Sequence, residues 1–170
     1  MILIMISRIL FLIFVVSMIQ CSPLVLDFSV EQIKLDTITY RKGDVVKPFE
    51  AFNFDEGQWI AYLFISHSDQ QDLSKEMPQG RKFKTTDRIL LKEMQENWKF
   101  IYTDGDVATL ESELILYHNG KLVFRSGILL NEKRQGLQNR QYGWLEATPR
   151  CILSRYCKKL KKVRWPIILK

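Results

Sequence analysis

The run Ser66-His67-Ser68-Asp69 carries the residue types of an acyl-transfer triad. In such a triad the histidine takes the serine proton and the acid orients the histidine, and the three meet through the fold. Neighbours along a strand point to opposite faces, so four consecutive residues do not assemble one. The run reads as a polar strand end. His118, the other histidine, sits beside a hairpin tip and reads as exposed. Asp104-Gly105-Asp106 begins like a calcium loop, but the ligand series stops there and a turn fits better. Glu111 and Glu113 are two apart and share one strand face. A glycosidase needs its carboxylates across a cleft, so these two read as ladder charges. The sequence has no P-loop, dinucleotide fingerprint or nucleophile elbow. It calls for no cofactor and no metal, and the enzymatic alternative is a hydrolase with an unrecognised site.

Residues 136–146, Gly-Leu-Gln-Asn-Arg-Gln-Tyr-Gly-Trp-Leu-Glu, hold a different kind of chemistry. Arg140, Tyr142 and Trp144 are the residue types that anchor protein interfaces or stack on sugars. They form the candidate binding surface. The competing reading is a loop leading into a strand that buries Trp144.

Three cysteines are present: Cys21, Cys151 and Cys157. Cys21 ends the apolar opening MILIMISRILFLIFVVSMIQC, in which Arg8 is the one charge. Its apolar core of about eleven residues, broken only by Ser17, suits a secretory h-region. A transmembrane helix needs about 20 residues. The apolar residues before Arg8 keep an uncleaved anchor open beside the cleaved signal peptide. A cysteine directly after an h-region resembles the lipobox of bacterial lipoproteins, which implies acylation of Cys21. Gln20 stands where that motif has a small residue. In an exported protein the remaining pair, Cys151 and Cys157, suggests a disulfide if residues 152–156 turn back. A continuous helix there would forbid it.

The net charge of +6 is uneven. Eight of the 25 basic residues lie from Arg150 onward and no acid follows Glu146, which leaves 17 basic against 19 acidic residues before that point. The basic segment 150–170 suits anionic lipid or an acidic partner. Nucleic acid is the weakest candidate for an exported chain. A solvated tail or an edge strand is the structural alternative.

The elements that must position these residues are mostly strands. Asn119-Gly120 predicts a type I′ turn, because both central residues need positive φ. A two-residue turn sets Tyr117 against Leu122, Leu116 against Val123 and Ile115 against Phe124. A second hairpin is expected from Val45–Phe54 and Gln58–Ser66 around Gly57, with Pro48 marking an edge or bulge. A third turn falls at Asp104-Gly105. One short helix fits Leu90, Leu91, Met94 and Trp98, capped by Thr86 or Asp87. Residues 66–85 read as a long loop, and 165–169 as a last strand. The fold class is mainly β: an antiparallel β-sandwich with one short helix, preceded by an N-terminal hydrophobic helix. Residues 1–21 are the signal peptide or anchor, and 27–170 one β-rich domain.

With residues 1–21, the strand 58–66 and the hairpin 114–124, the layout resembles small bacterial envelope lipoproteins of unknown function with a β-sandwich domain. More loosely it resembles exported immunity proteins that neutralise periplasmic toxins. The resemblance implies a non-enzymatic protein of the cell envelope, periplasmic or membrane-anchored. Its expected contacts are the membrane, through the N-terminal segment, and a protein partner such as a toxin. A carbohydrate- or cell-wall-binding module built on Tyr142 and Trp144 is the alternative.

Overall fold

The computed structural model describes residues 40–73, 75–105 and 110–164. The expected N-terminal helix with Cys21, residue Asp106 and the apolar ending 165–169 lie outside the described residues. Nine strands are described: β1 (Val45–Val46), β2 (Trp59–Phe64), β3 (Lys82–Thr85), β4 (Phe100–Tyr102), β5 (Glu113–His118), β6 (Lys121–Leu130), β7 (Gln135–Asn139), β8 (Gly143–Ala147) and β9 (Lys161–Lys162). Two helices accompany them, α1 (Arg88–Asn97) and α2 (Leu153–Cys157). The protein is mainly β. Every strand pair is antiparallel, in the order β1-β4-β8-β7-β6-β5-β2-β3-β9. The two separate sheets of a sandwich do not form, because β8 and β4 continue the β6–β7 ladder without a break.

The pairing defines two faces. Ala61, Leu63, Phe83, Leu114, Leu116, Phe124, Ile128, Leu137, Leu145 and Phe100 alternate onto one face and join one buried cluster. Leu90, Leu91 and Met94 of α1 and Leu153 and Cys157 of α2 belong to the same cluster. The second layer is therefore these helices and the turns over residues 47–54, not another sheet. Gln95 ties helix to turns by donating to the carbonyl oxygens of Phe49 and Phe52 at 2.8 and 2.6 Å.

Local chemistry explains most of the elements. Asn119 and Gly120 take φ of 51° and 77°, as a type I′ turn requires. Asp87 caps α1, its Oδ1 accepting from the Ile89 and Leu90 amides at 2.9 and 3.3 Å. The hairpin register departs from the expected one. A bulge between Leu116 and Tyr117 leaves Val123 unpaired, so Leu116 faces Phe124 and Ile115 faces Arg125. The shift carries Phe124 to the buried face, since one extra residue inverts the alternation.

The second hairpin is also different. Only Val45 and Val46 are a strand, and they pair with β4. Beyond Pro48 the chain makes successive turns, Glu50 N to Lys47 O and Phe52 N to Phe49 O, which aim Phe49 and Phe54 inward. The partners of β2 are β3 and β5. Gly57 still turns with φ of 68°. The end of the long loop becomes β3, because Phe83 buries completely against Leu63 while Lys82 and Lys84 face outward. Asp87→Ala should lower the unfolding free energy by about 1 kcal/mol in urea titration, with an unchanged midpoint arguing against the cap.

Candidate binding surfaces

The segment 136–146 folds as the β7–β8 hairpin. Asn139 holds its turn, its Oδ1 accepting from the Gln141 and Tyr142 amides at 3.0 and 2.9 Å. Gly136 is required here, because a Cβ would overlap the Trp144 ring and the Leu145 carbonyl. Trp144 is 0% exposed. The Arg134 guanidinium lies 4.6 Å over its ring and pairs with Glu146 at 3.3 Å. Tyr142 is buried too, packed 5.7 Å from the Tyr40 ring, and burial raises its pKa, with Tyr40 adding to the shift. Tyr142 joins the inner cluster, whereas Trp144 alternates onto the opposite face of β8. Arg140 alone of the three is exposed. They do not converge, and neither ring offers a free face to a sugar, which removes the support of the carbohydrate alternative.

The serines and acids of residues 66–69 and 111–112 form a structural network. Ser68 Oγ donates to Glu111 Oε2 at 2.6 Å, Asp69 N to Ser66 Oγ at 3.0 Å and Ser66 N to Ser112 Oγ at 3.0 Å. Ser112 Oγ donates to Asp69 Oδ2. The network fastens the end of β2 to the chain entering β5. His67 is exposed and lines a groove of about 610 Å³ with Gln70, Met77 and Pro78. His118 stacks on Trp59, ring centroids 4.3 Å apart. Among the described residues neither histidine pairs with a carboxylate and no serine hydroxyl bonds a histidine ring. Glu113 is held by Arg125 at 2.8 and 2.9 Å, so the two glutamates serve different partners. Among the described residues no three His, Cys, Asp or Glu side chains gather as a metal site would.

The expected disulfide is not formed. Cys151 and Cys157 are free and buried, with 153–157 wound into α2 between them. Burial pushes the Cys151 thiol up to about 11, against a lowering hydrogen bond from the Lys99 backbone. Burial, with Cys151 nearby, pushes Cys157 up to about 12. Both thiols are neutral at ordinary pH and poor nucleophiles. The described part of the basic segment, up to residue 164, is likewise built into the fold. Lys158 reaches Glu76 at 3.4 Å, Lys159 reaches Glu93 at 2.6 Å, and Lys161–Lys162 form the edge strand β9.

The feature that sequence reading missed is the outer face of β2, β5 and their neighbours. Ile60, Tyr62 and Phe64 of β2 alternate onto it, with Tyr117 and the fully buried Ile115 of β5 beside them. Tyr62 lies 6.1 Å from Phe64 and 6.0 Å from Tyr117 between ring centroids. The three rings are half-buried, and Leu122, opposite Tyr117, is 46% exposed. Burial raises the pKa of Tyr117, and Tyr62 adds to the shift while Arg125 opposes it. Lys84 stands directly across from Tyr62 and Lys82 across from Phe64. The sequence reads the 58–66 strand as apolar on both faces and central, and the 113–126 hairpin as covered on both sides. In the structure β2 is internal to the sheet, and the outer face is buried at Ile115 but left 46% exposed at Leu122.

No family model matches the chain, and no curated protein or solved structure matches it either.

The raised thiol pKa values set a direction for stability. An unfolded thiol titrates near 9.0, so the unfolded chain loses protons first and stability falls from there toward about 12, through the folded values. Cys157→Val should lessen that alkaline loss when urea midpoints are compared at about pH 8 and about pH 10. An equal loss in both proteins would contradict the burial argument.

Proposed function

We propose that this chain is an exported, membrane-associated binding protein that works without catalysing a reaction. The single observation carrying the reading is the outer sheet face. It sets aromatic rings and lysines side by side on one strand ladder, while Ser66, Ser68 and Asp69 of the triad-like run are engaged in fastening strands. The apolar opening stretch supplies the address, as a signal peptide or a membrane anchor, with Cys21 the candidate for lipidation. The resemblance to exported immunity proteins extends the reading to a toxin inhibitor, for which a broad rigid patch is the fitting device.

The test is site-specific photo-crosslinking in cells, with the probe at Tyr62 or at Ile89, which is exposed on α1 in the other layer. Cross-linking to an envelope component from position 62 and not from 89 is the expected result. Equal labelling at both positions, or a chain confined to the cytosol, contradicts the proposal.

A further inference from the structure

We propose that the outer sheet face docks on an anionic phospholipid surface. The inference rests on the membrane-associated reading and names the partner of the face already described. Lys84 and Lys161 are directly opposite one another in the β3–β9 ladder, and Lys82 shares their face. Like charges set directly across a ladder are destabilising. Lys82, Lys84 and Lys161 are exposed, and none makes an ion pair among the described residues. Acids are available nearby in the chain but serve elsewhere: Glu76 and Glu93 take Lys158 and Lys159, and Glu113 is filled by Arg125 in bidentate fashion. The repulsion is left for an external anion to relieve.

The rings beside these lysines choose the kind of anion. Tyr62 and Tyr117 present an apolar body and a polar tip, the combination enriched where hydrocarbon meets headgroups. Phe64, Ile60 and Leu122 extend the apolar strip. Protein interfaces favour arginine and are depleted in lysine. Here the one arginine of the strip, Arg125, is already occupied and the free cations are all lysines. A lysine is a hydrated point charge on a long stem and needs no fixed geometry from its partner. Laterally mobile headgroups can gather around three such charges, whereas an acidic protein would have to match their spacing. Anionic phospholipid fits best.

Each lysine near an anionic leaflet is worth roughly fivefold in partition coefficient. The experiment takes the full chain and compares vesicles of pure phosphatidylcholine with vesicles one-third phosphatidylglycerol, at low salt. The readout is the ratio of the two partition coefficients, so binding by the apolar N-terminal stretch cancels. The unaltered chain should show a ratio on the order of 100, falling toward one in molar salt. Lys82→Gln/Lys84→Gln should lower it by about 25-fold. Arg150→Gln/Arg155→Gln removes the same charge from the α2 side and should lower it by less than about fivefold. Equal losses from the two pairs would mean bulk charge alone and overturn the proposal. So would a ratio near one, which is expected if the face is taken by an acidic protein, a second copy or residues 1–39 of the same chain. A chain that binds both vesicles equally defeats this inference only; one that ignores both defeats the membrane-associated reading with it.

Discussion

Phe49 stacks on Trp98 at 5.2 Å and meets the edge of Phe124 at 5.1 Å, and these contacts bind the two layers together. Trp98 closes α1, Phe49 lies in the turns before β2, and Phe124 stands in the middle of the longest strand. Phe54 and Phe100 add edge contacts to Phe49 and Trp98, and Tyr156 reaches Trp98 from α2. The 47–54 turns, the end of α1, α2, β4 and β6 meet at this aromatic junction. Removing one such ring from a packed interior costs about 3–5 kcal/mol, a large fraction of a domain's total stability.

The junction explains how polar residues are used. With the inner face filled by rings, the chain entering and leaving each strand must be fastened by other means. Ser112 and Asp69 clamp β2 to β5, Gln95 clamps the turns to α1, and Arg134 and Glu146 hold Trp144. Most of the residues whose types suggest catalysis or recognition, His67 and Arg140 excepted, are engaged in closing the fold. On the outer side of the sheet, the face proposed for recognition, Tyr62 of β2 and Tyr117 of β5 lie on the same side as Lys82 and Lys84 of β3 and Lys161 of β9, which make no ion pair among the described residues.

The elements legible in the sequence were those set by local backbone chemistry. Asn119-Gly120 could only turn one way, and Asp87 before Leu90, Leu91 and Met94 announced α1. What was not legible depended on tertiary packing. The bulge at Leu116–Tyr117 has no local marker, yet it decides that Phe124 and not Val123 is interior. Val45–Phe54 has strand composition, but Pro48 and the pull of the aromatic junction on Phe49 and Phe54 turn it instead. Trp144 looked like a recognition residue until Gly136 beside it supplied the space to bury it. Lys82 and Lys84 came from a segment with the composition of a loop, so their placement beside Tyr62 and Phe64 depended on β3 pairing with β2.

The central claim is that the inner rings hold the fold, whereas the half-buried Tyr62, Phe64 and Tyr117 of the outer face contribute little to it and are proposed to bind. Urea unfolding of Phe49→Ala and Tyr62→Thr tests it most directly. The account predicts a loss of about 3–5 kcal/mol for the first and about 1 kcal/mol or less for the second. Equal losses would contradict it, because Tyr62 would then be part of a second packed layer and not of a binding face.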